Sequence, residues 1–349
     1  MTSFKKTAEK QFPSELRFDI ASEHWVVIAT GRGKRPESFR KEKKTSERAP
    51  KKDCPFCQIN TQKTPTTIFS HGKKIFLDID GKVPRSWTTI AIPNKYPAFM
   101  PAQEMEKTTQ GNLYQTVNAV GYHEVVVTRD HDKHIALMRQ DQVKELIDVY
   151  QKRYLELMKK PFVRYVAIFH NHGREAGASV YHPHSQIITT PLIEPDLKKA
   201  LINSGNYFKE HGTCLYCEMN KWEKKVKERL VFENDDFLVV CPFASKMAFQ
   251  TIISPKKHSS HFKEMTEKEK ENFAEALRVI LRKIYKGLNN PAYNFYIHTA
   301  PCNGEDLSFY HWHLTILPKT SIHAGFELGV GIEISTIEPE KAAEYLRKY

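Results

Sequence analysis

Two long segments of the chain, 137–160 and 265–289, carry apolar residues at helical spacing. Val143, Leu146, Ile147, Tyr150, Tyr154, Leu155 and Leu157 form a stripe in the first, and Phe273, Leu277, Ile280, Leu281 and Ile284 form one in the second. Each pattern predicts a long helix with one buried face. Shorter stretches rich in β-branched and aromatic residues flank them: EVVVTRDH and RYVAIFHNHG around the first, FQTIISPKKH and AYNFYIHTAP around the second. These predict strands. TIFSHGKKIFLDID and WTTIAIPNKYPAF predict extra strands in the first half, and 191–213 predicts a helical linker. EPEKAAEYLRKY predicts a short C-terminal helix with Pro339 near its first turn.

The order of these elements repeats. Each half runs through a CxxC pair, a strand ending near a histidine, a long helix, another strand and an HxH segment. His131 to His182 spans 51 positions and His258 to His311 spans 53, whereas the Cys-to-His spacings of 74 and 41 differ. An insertion in the first copy, holding the extra strands, accounts for the difference. The fold class expected is α+β: two tandem modules, each a mainly antiparallel sheet packed with a long helix. The first occupies 1–190 and the second 191–349.

With 349 residues, 40% hydrophobic and 27% charged, the chain falls in the globular range. Its longest apolar runs, such as Trp25–Ala29 and Val125–Val127, are far short of the ~20 residues a bilayer crossing needs, so no membrane span is expected. MTSFKKTAEKQF has no apolar core or cleavage site behind its positive stretch, so the expected compartment is cytoplasmic. The net charge of +12 favours an anionic partner, either nucleic acid or phosphorylated metabolites. Ten of the basic residues lie between Arg32 and Lys52, with Phe39 the one aromatic among them, which is a poor stacking platform for bases.

Four of the six cysteines form the pairs Cys54-Pro-Phe-Cys57 and Cys214-Leu-Tyr-Cys217. Each is followed by a polar stretch and then strands rather than by a redox-type strand-to-helix turn, which favours zinc. A closed structural zinc site takes four N/S ligands, often a close cysteine pair plus two distant residues. The repeat supplies Cys54, Cys57, His131 and His182 in one module and Cys214, Cys217, His258 and His311 in the other. His123, His134 and His261 compete for the third position.

The segment His182-Pro183-His184-Ser185-Gln186 carries the expected chemistry. On an extended strand, His182 and His184 project to one side about 6–7 Å apart, so one can hold a metal while the other stays free. Pro183 argues for an edge or an irregular strand start. An imidazole whose Nδ1–H is held by a carbonyl presents Nε2 as a nucleophile. The preceding run Gly173-Arg-Glu-Ala-Gly177-Ala-Ser179 allows close approach of backbone to a phosphate, and the Gln186 amide can donate to a phosphoryl oxygen.

On these residues the chain resembles, over nearly its whole length, the galactose-1-phosphate uridylyltransferases, a branch of the histidine-triad superfamily. The resemblance implies two histidine-triad-like modules. It makes His184 the residue that takes up the nucleotide covalently, and His182 a zinc ligand with Cys54, Cys57 and His131. Gln186 matches the glutamine that contacts the phosphoryl group, and Ser179 a serine on the nucleotide phosphates. It further implies substrate contacts from Arg32 and Arg35 in GRGKRP, Asn94 in NKYPAF, Asn171, the Gly177 loop, and Glu327 in GFELG as a ligand of the sugar hydroxyls. A homodimer is implied as well, the C-terminal module of one subunit reaching the other's site.

Two features depart from the galactose enzymes. The glutamate and histidines that hold a different second metal in some members are missing, and the second CxxC looks like the two-zinc members, which include enzymes acting on adenylyl sugars. A glutamine that contacts the hexose has no clear counterpart, the nearest residues being Glu333 and Ser335.

The reading is therefore a transferase that moves UMP from UDP-glucose to galactose 1-phosphate through a uridylyl-His184. Its rivals are an adenylyltransferase or ADP-sugar phosphorylase of the same chemistry and a nucleotide hydrolase. A basic zinc protein that binds nucleic acid is a distant third, because it leaves HPHSQ and the glycine-rich run unexplained. His311-Trp312-His313 lacks the following Ser-Gln and the glycine-rich run, so the second module is expected to keep its metal and to have lost the chemistry.

Overall fold

The computed structural model describes residues 14–29, 39 and 49–349. In chain order the elements are β1 (Glu15–Asp19), β2 (His24–Ile28), β3 (Thr67–Ser70), β4 (Lys73–Ile75), β5 (Thr89–Pro93), β6 (Lys107–Gln110), β7 (Tyr114–Val117), β8 (His123–Thr128), α1 (Gln140–Leu157), β9 (Tyr165–His172) and β10 (His184–Thr190). There follow α2 (Pro195–His211), α3 (Leu215–Val226), β11 (Leu230–Glu233), β12 (Phe237–Val240), β13 (Thr251–Pro255), α4 (Glu267–Gly287), β14 (Tyr293–His298), β15 (His313–Pro318), α5 (Gly325–Val330), β16 (Glu333–Ser335) and α6 (Pro339–Arg347).

Eleven strands form one antiparallel sheet in the order β11-β12-β13-β15-β14-β9-β10-β8-β5-β3-β4. The two repeats meet at its centre, where β14 pairs with β9. Outward from that seam the order β9-β10-β8-β5 on one side mirrors β14-β15-β13-β12 on the other. This is the α+β arrangement of two modules expected from the repeat. A small sheet, β1-β2-β16, and the hairpin β6-β7 stand apart from it.

The two long helices cover one face. In α4, Phe273, Leu277, Ile280, Leu281 and Ile284 are essentially inaccessible, and burial of such a stripe contributes on the order of 10 kcal/mol as an upper bound. Thr266 and Glu269 start this helix as a reciprocal cap: the Glu269 N–H donates to Thr266 Oγ1 and the Thr266 N–H to Glu269 Oε2. The α1 stripe holds except at Leu155, which is exposed. α1 also buries Arg153, which donates from Nε and Nη2 to the two carboxylate oxygens of Glu124 on β8, both at 2.7 Å. No described helix is long and apolar enough to cross a membrane.

Alternation along the central strands sorts side chains between the two faces. Ser185 and His170 point toward α1, where Tyr150 and His170 Nδ1 both bond Ser185 Oγ. His184, Gln186 and Asn171 point to the opposite face, away from the long helices.

Candidate functional site

Strand β10 begins at His184, so His182 lies before it and the expected pair on one extended strand needs correction. Pro183 has no N–H to give a ladder, and the chain enters the sheet irregularly there. The consequence is a division of labour. His182 is fully buried and its Nδ1 lies 3.4 Å from Cys54 Sγ and 3.6 Å from Cys57 Sγ. His184 instead donates Nδ1–H back to the His182 carbonyl at 2.8 Å. That bond leaves the lone pair on Nε2. Burial lowers the His184 pKa below the usual histidine range, opposed by the bond to His182. Phe56, from within the first CxxC, packs against both rings, with centroids 5.0 Å from His184 and 5.8 Å from His182.

Both cysteine–histidine groups are assembled. The donor atoms of Cys54, Cys57, His131 and His182 lie within 4.8 Å of one another, and so do those of Cys214, Cys217, His258 and His311. His131 Nδ1 is 3.2 Å from Cys57 Sγ, while His258 and His311 Nδ1 are each 3.4 Å from Cys217 Sγ. A tetrahedral zinc with ordinary bond lengths has S···N edges of about 3.5 Å.

The far side of each ring agrees. The Nε2–H of His131, His182, His258 and His311 donates to the carbonyl of Ala49, Thr128, Ser308 and Pro255 respectively. A carbonyl can only accept, so every Nδ1 carries its lone pair toward the thiols, as a metal ligand must. The competing histidines lie elsewhere: His134 packs at a tilt against His172 and Tyr285, His261 is half-buried beyond β13, and His123 belongs to the His184 face.

Around His184 the sheet register gathers amides. Gln186 is two residues on and shares its face. Asn171 on β9 lies across from His184, one step beyond the Ser185–His170 pair. The loop that follows Asn171 turns at Gly173 (φ +81°) and Gly177 (φ +86°). A Cβ on Gly173 would sit 2.8 Å from Ala292 Cβ, so this turn needs glycine for space as well as for backbone angle. Asn94 follows β5, and its Nδ2 approaches His123 Nε2 at 3.0 Å. Ser179 is exposed in the same loop. Glu327 sits in α5 beside β16, on the small sheet, where its carboxylate accepts from the Ala324 N–H. Arg32 and Arg35 lie outside the described residues.

Two residues of this face escaped the sequence reading. His123 Nε2 is 2.8 Å from Gln186 Oε1, and Asn294 on β14 donates to Asn171 Oδ1 at 2.8 Å. His123 stood in the sequence only as a rival zinc ligand. Asn294 carried no signal, because its partner is set by the β9–β14 seam between the repeats.

Comparison with known proteins adds an independent line. Residues 4–194 match the family profile for the galactose-1-phosphate uridyl transferase N-terminal domain, and 201–348 match that for the C-terminal domain. An ADP-glucose phosphorylase of Arabidopsis thaliana is 31% identical, covering 98% of this chain and 94% of that protein. The Thermotoga maritima galactose-1-phosphate uridylyltransferase is 28% identical over 96% of this chain and 98% of its own. The crystal structure of an Arabidopsis thaliana ADP-glucose phosphorylase with bound ADP-glucose superposes with a TM-score of 0.78, covering 96% of this chain and 99% of that one at 29% identity. Profiles spanning both halves, together with the HxH face and paired cysteines they contain, establish that the chain belongs to the galactose-1-phosphate uridyl transferase family.

Proposed function

We propose that the protein transfers a nucleoside monophosphate from a nucleotide sugar to a phosphorylated acceptor, through a covalent nucleotidyl-His184. The observation that carries this reading is the bond from His184 Nδ1–H to the His182 carbonyl, which leaves Nε2 unprotonated with its lone pair free for phosphorus. Nε2 attacks the α-phosphorus of UDP-glucose, a P–N bond forms as the P–O bond to glucose 1-phosphate breaks, and the leaving phosphate carries off the electron pair. In the second half galactose 1-phosphate attacks the same phosphorus, forming UDP-galactose and freeing the ring. Each half exchanges similar bonds, so positioning and charge neutralisation supply the acceleration. Gln186 and Asn171 are the amide donors for this, with Gly177 and Ser179 on the phosphate side. Arg32, Arg35, Asn94 and Glu327 are the further substrate contacts of the reading.

Cys54, Cys57, His131 and His182 would hold one zinc and Cys214, Cys217, His258 and His311 a second, each of which would cross-link distant segments of the chain when bound. A metal held by the first four residues would have no open position for substrate, and when bound it would fix His182 and hence the carbonyl that orients His184. A homodimer belongs to the same reading, and the exposed Ile322, Phe326, Leu328 and Val330 around α5 support a covered surface there.

A second reading is favoured by one comparison: the 31% relationship over 98% of the chain is to an ADP-glucose phosphorylase. In that reading the donor is ADP-glucose and inorganic phosphate takes the nucleotide from His184, giving ADP. Isotope exchange separates the two. If the first reading holds, labelled glucose 1-phosphate enters UDP-glucose with no second acceptor present. Exchange into ADP-glucose alone selects the second, and exchange into neither, with steady release of nucleotide to water, contradicts both.

A further inference from the structure

We infer that His123 and Asn294 are positioning residues that turn two amides, one on each flank of His184, so that both present N–H donors to the transferred phosphoryl group. The inference rests on the proposed nucleotidyl transfer at His184 and adds to it what sets the polarity of the anion-binding groups. An amide side chain has an accepting end and a donating end, and only the surrounding bonds decide which one faces a ligand. Here each assignment starts from a backbone atom whose polarity is fixed.

On one flank, the Ala98 N–H donates to His123 Nδ1 at 3.1 Å. That nitrogen is an acceptor, so the neutral ring carries its proton on Nε2. Nε2 is 2.8 Å from Gln186, which must therefore meet it with Oε1. The Gln186 NH2 is left to donate elsewhere. Register explains the reach: His123 faces Ile188, and Gln186 is its diagonal neighbour on the same face. Asn94 Nδ2 also lies 3.0 Å from this imidazole nitrogen, with its Oδ1 engaged by the Tyr96 N–H, so beside a protonated Nε2 it meets donor with donor; the Ala98 N–H decides the tautomer because a backbone amide cannot turn away, whereas the Asn94 side chain can.

On the other flank, Asn294 Nδ2 donates to the Ala176 carbonyl at 2.8 Å, so that end of Asn294 is a donor. The same Nδ2 lies 2.8 Å from Asn171, which must present Oδ1 to it. The Asn171 NH2 then turns to the glycine loop, where a Cβ on Gly177 would lie 3.9 Å from Nδ2. Asn294 thus ties the loop and the amide together from a strand of the second module. The two devices have one logic: a donor anchored to backbone occupies the carbonyl oxygen of the amide and leaves its N–H bonds for an anion. Oriented donors of this kind act most where charge develops during transfer.

The test is single-turnover labelling of the full chain, zinc-loaded, by nucleotide sugar carrying 32P at the α-phosphate, with zinc content and melting temperature measured alongside. His123→Leu and Asn294→Leu remove the donors at similar volume. Each is expected to slow labelling roughly tenfold or more while half-saturation by the nucleotide sugar moves far less. His123→Gln keeps an N–H near the position of Nε2 and should recover most of the lost rate. A merely structural role predicts the reverse, since His123→Gln removes the ring as completely as His123→Leu does. Labelling of both Leu variants at the wild-type rate, or equal loss in His123→Leu and His123→Gln, overturns the inference alone. No label on the wild type from either UDP-glucose or ADP-glucose overturns it together with the proposed function.

Discussion

The two HxH segments of this chain share a backbone device and differ in almost everything around it. His184 donates Nδ1–H to the His182 carbonyl at 2.8 Å, and His313 does the same to His311 at 3.2 Å. Both therefore hold an imidazole with Nε2 available. Across from His184 stands Asn171, whereas the register pairs His313 with His298. Gln186 is replaced by Thr315, and Ser185 by Leu314. His313 is buried, its ring 4.6 Å from His298 and 5.1 Å from Tyr216, and burial drops its pKa to about 4. A cavity of about 1310 Å³ opens beside it, walled by Asp19, Glu194 and Asp196 together with Lys246, and it extends along the same sheet face to Asn294 and Asn171. What separates the two tethered histidines is therefore their neighbours, and on the proposed function an imidazole takes up a nucleotide only where donors for the anion also face it.

The largest expected difference between the halves is in turnover. His184→Ala should lower it by at least about ten-thousand-fold, while His313→Ala should leave it close to wild type, measured on protein of equal zinc content. Loss of activity in His313→Ala with fold and metal intact breaks the comparison.

Next come the metal groups. Cys54→Ala and Cys214→Ala should each remove one of two zinc ions per chain by mass spectrometry, and each should lower the melting temperature, because ligand binding free energy is folding free energy at such sites. The folded fraction of Cys54→Ala should be inactive, since His182 and its carbonyl come loose. The folded fraction of Cys214→Ala should still react.

A smaller contrast is predicted opposite the two histidines. Asn171→Ala should slow nucleotidylation roughly tenfold to a hundredfold. His298→Ala, its counterpart in position, should not slow it.

The smallest is in pH dependence. His170 is buried under α1, and burial holds its pKa well below the usual range; its positional counterpart is Ile297. A base whose folded pKa is depressed stabilises the fold above its unfolded pKa and loses that contribution as pH falls. Stability should thus decline below about pH 6.5, by up to about 1.4 kcal/mol per pH unit from this group. His170→Leu should flatten the slope by one proton in urea melts at pH 5–7. An unchanged slope contradicts the assignment.

Much of this was legible in the residues. The helices α1 and α4 and the repeat came from periodicity, and the spacing of CxxC and histidine pairs indicated two metal groups. What escaped depends on pairing across distance. Leu155 lies two positions from Arg153, about 200° around α1, so it falls on the solvent side of the helix and is exposed, whereas Arg153 lies at the edge of the buried stripe and reaches Glu124, an ion pair that no local pattern shows. The strand holding His184 starts two residues later than expected because Pro183 cannot enter a ladder from its N–H side. His123 looked like a candidate metal ligand until register placed it beside Gln186. Asn294 could not be found without knowing that β14 lies next to β9.

The central claim is that one imidazole of the four in the HxH segments takes up the nucleotide. Peptide mass mapping after incubation with UDP-glucose and, separately, ADP-glucose tests it directly. The account predicts an acid-labile nucleoside monophosphate adduct on His184 and on no other residue, absent from His184→Ala. An adduct on His313, or turnover with no adduct on any histidine, would contradict it.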